Sequence, residues 1–232
     1  MRIFPSLALT ASVIVGTAAF WPSEVEANNC KYSSTNKNCP DVANQWTWGR
    51  QDASSLRFTI NDSVPSACQS PAYAALNTWN SSTFRFSFVW GGYTTTESRV
   101  KQGEYLAPTS ANRIDTVDIN VGETLSYAAA STQFDWGTYN SAAGRYNLKD
   151  GDIQIAPGTL TSAYCGSGST PNNMKDFRGL VAHELGHAVG LGHKLTSQTI
   201  SDVMYGWSID GPRPTVLSTP DRESAEYLYG RR

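Results

Sequence analysis

The sequence predicts an α+β fold, on three observations. Stretches that alternate apolar and polar residues fill its first two-thirds, one early helix interrupts them, and one longer amphipathic helix follows them. Ser55 to Asn61 places Leu56, Phe58 and Ile60 on one face, a half-buried strand. Ser70 and Pro71 give a cap and a first helical position, and Ala72 to Trp79 continues that helix. Phe84, Phe86, Phe88 and Trp90 alternate as a second strand. Asp115 to Val121 is a third, with Val117, Ile119 and Val121 on one face. Leu125 to Ala129 reads as a short edge strand and Gly151 to Ala156 as another.

The longer helix is expected from Met174 to Val189. Asn173 and Asp176 form a loose capping pair, and Phe177, Leu180, Val181, Leu185 and Ala188 form its apolar stripe. Gly190 is placed to end it. A last helix begins after Thr219, with Pro220 near its start and Asp221 where the helix dipole favours an anion.

The chain has 232 residues, close to one domain, and 40% hydrophobic residues suffice for a sizeable core. Charged residues make up 16%, below the roughly 25% of an average domain; Ser, Thr, Asn and Gly carry the polarity, which suits an extracellular surface. A net charge of −2 leaves no electrostatic footprint for nucleic acid or an anionic membrane. Arg2 followed by the apolar run Ile3 to Phe20 reads as an export signal, with cleavage after Ala27 or, alternatively, Ala19. The run is short for a bilayer span, and Pro5 weakens it further, so no membrane attachment is expected after cleavage. Residues 1–27 are thus a signal, 28–50 a Cys-stapled extension or short pro-segment and 51–232 the functional domain. Cys30, Cys39, Cys68 and Cys165 are an even set in an exported chain, and the pairing expected is Cys30 with Cys39 and Cys68 with Cys165.

The chemistry lies in His183-Glu184-Leu185-Gly186-His187-Ala188-Val189-Gly190-Leu191-Gly192-His193. Helix positions i and i+4 lie about 40° apart around the axis, so His183 and His187 can bind one zinc ion. A continuing helix would carry His193 away; the positive φ open to Gly190 lets the chain return it as third ligand. Glu184 then stands beside the remaining zinc position, where a carboxylate can take a proton from water. All three histidines of the chain fall in this frame, which argues against chance. Downstream, Ser201-Asp202-Val203-Met204-Tyr205-Gly206 puts a methionine on a loop within reach.

The histidine frame together with Met204 resembles the metzincins, and Val203-Met204-Tyr205, Leu217, Asp221 and Leu228-Tyr229-Gly230 resemble their matrixin branch. The resemblance implies a zincin fold: a twisted, mostly parallel five-stranded sheet with an antiparallel edge strand, an active-site helix and a small C-terminal subdomain. It implies a secreted, monomeric zinc endopeptidase with Glu184 as base, Met204 in the Met-turn, and protein or peptide substrates. Substrate would pair with the edge strand near Thr124 to Ala128, touching Leu125 and Tyr127. Gly179 and Trp207 to Pro214 would shape the pocket beside the zinc; small Gly179 leaves that wall open and suggests an apolar residue just after the cut. The chain departs from the family at Lys194, where a serine is usual, at Gly206, where a proline is usual, and in lacking histidines for a second zinc. Calcium is common in the family, and Asp115, Asp118, Asp150 and Asp152 are candidate ligands or, equally, solvated turn residues. Cys39, in Asn38-Cys39-Pro40-Asp41, is read as a disulfide partner ahead of a zinc-blocking thiol.

Overall fold

The computed structural model describes residues 49–51, 54–95, 116–122, 128–133, 136–140, 145–148, 151–193, 201–206 and 210–232. Its elements run β1 (Gly49–Gln51), β2 (Ser55–Asn61), α1 (Ser66–Asn80), β3 (Ser87–Thr94), β4 (Thr116–Val121), β5 (Ala130–Gln133), β6 (Trp136–Asn140) and β7 (Arg145–Leu148). There follow β8 (Asp152–Ile155), α2 (Pro157–Leu160), β9 (Ala163–Tyr164), β10 (Lys175–Asp176), α3 (Phe177–Val189) and α4 (Thr219–Tyr229). No helix among the described residues is long and apolar enough to cross a membrane.

The principal sheet has five strands in the order β3-β2-β4-β8-β5; every pairing is parallel except that of edge strand β5 with β8. The mostly parallel sheet with an antiparallel edge is the one expected. Leu56, Phe58 and Ile60 of β2, Val117 and Ile119 of β4, and Ile153 and Ile155 of β8 are all buried. All four residues of β8 are buried, as a strand inside a largely parallel sheet requires. Helices α1 and α3 pack against each other, joined where the Trp79 Nε1–H of α1 donates to the Ala182 carbonyl of α3 at 2.8 Å.

Four expectations shift. Helix α1 begins at Ser66, with Pro65 as its cap, so Pro71 lies inside the helix. Cys68, Ala72, Ala75, Leu76 and Trp79 form one buried stripe running past Pro71, and that burial outweighs the missing N–H donor. Phe84 and Phe86 precede strand β3; Phe84 bridges Arg231 and the Arg85 N–H donates to the Gly230 carbonyl, so the C-terminus claims this backbone. The edge strand is Ala130–Gln133, later than the expected Leu125 to Ala129. Its register against β8 runs from Ala130 opposite Ile155 to Gln133 opposite Asp152. Helix α3 starts at Phe177 because Lys175 and Asp176 pair with Ala163 and Tyr164 instead.

Cys68 and Cys165 are disulfide-bonded, tying α1 to the segment after β9 across a separation of 97 residues. Residues 1–27, the remaining disulfide candidates Cys30 and Cys39, and Leu125, Tyr127, Lys194 and Trp207 lie outside the described residues.

Candidate metal centre

Helix α3 carries the site. Its N-cap is Asp176, whose Oδ1 accepts the Gly179 N–H at 3.0 Å. Its end is set by Gly190, which adopts φ 105° and sends the chain back toward the helix. Two distant residues pin that end: the Gln51 Nε2 donates to the Ala188 carbonyl at 2.8 Å, and the Tyr229 hydroxyl donates to the Val189 carbonyl at 2.6 Å.

The reversal delivers His193 to the two helical imidazoles. His193 Nε2 lies 3.1 Å from His183 Nε2 and 3.1 Å from His187 Nε2. Among the described residues these three form the one His, Cys, Asp or Glu group able to hold a metal ion. The His183 Nδ1–H donates to the Val203 carbonyl at 2.7 Å, and the His187 Nδ1–H to the Leu191 carbonyl at 2.7 Å. A carbonyl can only accept, so each neutral imidazole bonded this way presents a bare lone pair at Nε2. The three Nε2 atoms meet as the ligand atoms of one shared ion would. Ligands about 2.0–2.1 Å from a tetrahedral zinc are separated by roughly 3.3–3.4 Å, so the spacing fits that ion. Burial also keeps the rings neutral: it is the main cause lowering His187 to about 3, and it lowers His183 and His193 as well.

Glu184, between the helical histidines, is buried; desolvation raises its pKa to about 7, opposed by a hydrogen bond from Thr132 and by the charge of Arg213. The Thr132 hydroxyl, on edge strand β5, lies 2.8 Å from Glu184 Oε2 and 3.0 Å from the Glu184 carbonyl oxygen. Met204 is buried beneath α3. A Cβ on Gly186 would come within 2.2 Å of its sulfur and 2.6 Å of the Trp79 ring, so glycine there admits both. The backbone of the Val203–Met204 loop is held by Asp221 of α4, whose Oδ2 accepts the Val203 N–H at 2.8 Å and whose Oδ1 accepts the Met204 N–H at 3.3 Å.

The structure thus brings His183, His187, His193, Glu184 and Met204 together. Gly179 differs from expectation: the space beside it is not an open pocket wall, since a Cβ there would meet the Arg213 Cβ at 2.4 Å. Gly206 packs against the His193 ring. Of the candidate calcium ligands, Asp118 and Asp152 are buried and the Asp118 N–H donates to Asp152 Oδ1 at 3.1 Å; Asp115 and Asp150 lie outside the described residues. Sequence reasoning missed Thr132 and Arg213 as single residues and the anchoring role of Asp221. A strand threonine and a loop arginine carry no spacing signal, whereas Asp221 was visible only as a helix-start anion.

A family model described as Matrixin matches residues 40–230. A 64-residue stretch is 38% identical to matrix metalloproteinase-25 of Mus musculus, covering 28% of this chain and 10% of that protein. Over 128 residues the chain is 27% identical to metalloendoproteinase 2-MMP of Arabidopsis thaliana, covering 53% of this chain and 32% of that relative. The matched stretches thus span between a tenth and a third of these relatives. A solved structure of high choriolytic enzyme 1, a hatching enzyme zinc-protease from Oryzias latipes, aligns with a TM-score of 0.41 at 13% identity, over 80% of this chain and 95% of that one.

Proposed function

The chain belongs to the matrixin family, and on that premise we propose that it is a secreted zinc-dependent endopeptidase acting on protein or peptide substrates. One observation carries the reading: His193 Nε2 lies 3.1 Å from the Nε2 atoms of both His183 and His187, and the Glu184 carboxyl stands on the same helix between those two. His183, His187 and His193 would hold the zinc. When bound, that ion polarises a carbonyl and lowers the pKa of water toward roughly 7.

The remaining work belongs to the chain's own groups. Glu184 takes a proton from the attacking water at its carboxylate and returns it to the nitrogen of the departing amine. The Thr132 hydroxyl orients that carboxylate and favours its ionised form. Strand β5 ends the principal sheet beside α3, and an extended substrate laid along it would gain backbone pairing. Residues 1–27 would direct export, 28–50 would precede the catalytic domain, and the domain would act as a monomer without nucleic acid or membrane.

Hydrolysis of denatured casein by protein recovered from the culture medium tests the reading, and its first residue reports whether residues 1–27 are removed. Cleavage should stop with 1,10-phenanthroline. Glu184→Ala should lower kcat/KM by about 10²–10⁴-fold while zinc still binds one to one. Cleavage that survives chelation, or that survives Glu184→Ala, would end the proposal.

A further inference from the structure

The last turn of α3 is held from outside the histidine frame. A helix leaves its final carbonyls without intrahelical partners. Here the Gly190 N–H donates to the His187 carbonyl at 2.6 Å and the Leu191 N–H to the Gly186 carbonyl at 3.0 Å, which folds the turn back onto the helix. Ala188 and Val189 are buried, so their carbonyls need donors from the protein itself. Gln51 of β1 and Tyr229 of α4 supply them: the Gln51 Nε2 donates to the Ala188 carbonyl at 2.8 Å and the Tyr229 hydroxyl to the Val189 carbonyl at 2.6 Å. That hydroxyl also accepts the Gln51 backbone N–H at 3.0 Å, so Gln51 grips the helix end twice, once directly and once through Tyr229. Gly151 lets the parts close up, since a Cβ there would stand 3.1 Å from the Ala188 Cβ and 3.8 Å from the Gln51 Nε2.

What this helix end holds is the route to two imidazoles. Only Gly190, Leu191 and Gly192 separate Val189 from His193, and the Leu191 carbonyl accepts the His187 Nδ1–H at 2.7 Å. A shift of the last turn therefore displaces His193 along the chain and loosens the bond that orients His187. Strand β1 lies outside the principal sheet, in the order β1-β7-β6, with Gln51 opposite Leu148 of β7. The small sheet thus has a task, which is to bring Gln51 to the end of α3. We propose that Gln51, acting with Tyr229, is a positioning residue for the metal centre: it fixes the turn that presents His193 and the carbonyl that orients His187. The inference rests on the metal reading of the three histidines. Removing a group that orients a ligating histidine typically weakens metal binding by about 10–100-fold, and Gln51 stands one link further out, at the low end of that range.

The test measures zinc affinity of the folded full chain at neutral pH, by competition with a chromophoric chelator, beside urea midpoints. Gln51→Leu keeps the length and the backbone N–H and removes the side-chain donor; Tyr229→Phe removes the hydroxyl and keeps the ring. Each should weaken zinc binding by about tenfold. The double variant should lose less than the product of the two, because both act on one turn. Val64→Ala, a truncation of a buried core residue outside this network, is the control for lost stability. It should lower the urea midpoint and leave zinc affinity at the wild-type value. The visible spectrum of cobalt-loaded protein should change in Gln51→Leu and stay as in wild type in Val64→Ala, a signature that lost stability alone does not give. Wild-type zinc affinity and an unaltered cobalt spectrum in Gln51→Leu and Tyr229→Phe overturn the inference while the metal reading stands. An equal loss of affinity in Val64→Ala also overturns it, since affinity would then follow stability. A wild type that binds no zinc ends the metal reading and this inference with it.

Discussion

Opposing influences poise Glu184. Burial raises its pKa to about 7, and the Thr132 hydroxyl is the first of the groups that draw it back. Thr132→Val keeps the volume and removes the donor, so the carboxyl should rise further. A base must be ionised to take a proton, and the acid limb of kcat/KM against pH reports that ionisation. The limb should therefore move to higher pH in Thr132→Val, measured over a full pH profile on one peptide; bound zinc lowers the limb in both proteins without changing the sign. An unmoved limb would mean that the hydroxyl does not bond the carboxylate in the working enzyme. That His183 and His187 stand together, with Glu184 between them, could be read from the sequence because a helix converts spacing into proximity. Thr132 could not, because a polar residue in an edge strand looks solvent-facing until the helix packed beside it is known.

At the scale of elements, α4 secures the loop under the histidine cluster. Asp221 closes the start of α4 in a capping box with Ser218 and, with the same carboxylate, accepts the N–H groups of Val203 and Met204. The Val203 carbonyl in turn accepts from His183. Asp221 is almost fully buried. Asp221→Ala should cost about 2–4 kcal/mol of stability, since it removes charge-assisted bonds and leaves buried donors unmet. Asp221→Asn, which keeps one carbonyl acceptor, should fall between. Urea midpoints measure the cost, and zinc affinity should weaken in the same order because His183 loses a fixed partner. Midpoints equal to wild type would mean the Val203–Met204 loop holds itself. Helix ends were legible where one residue type solves a backbone problem, as Gly190 does at φ 105° and Pro220 does near the start of α4. The sheet β1-β7-β6 escaped notice because its strands are short and β1 pairs with a partner almost a hundred residues away.

Over the whole molecule, the fold stores three imidazoles in their neutral form and two carboxyls, Glu184 and Asp221, whose pKa values burial raises. This gives the metal-free protein a stability that depends on pH with a definite sign. Unfolded histidines regain their ordinary value of 6.5, above every folded one, so below that pH unfolding takes up protons at these rings. Glu184 works the other way: folded at about 7 and ordinarily at 4.5, it releases a proton on unfolding between those values. Asp221, raised from 3.8, acts like Glu184 near its own range. Three rings set against two carboxyls, one of which titrates lower, leave a net uptake, so stability falls with falling pH. The urea midpoint of chelator-stripped protein should therefore be lower at pH 4.5 than at pH 6.5, the ordinary values of the two groups. Zinc should raise both midpoints by mass action, because it binds the folded imidazoles. A metal-free midpoint that is flat or rises on acidification would mean that the imidazoles accept protons inside the fold, where a zinc site needs them neutral.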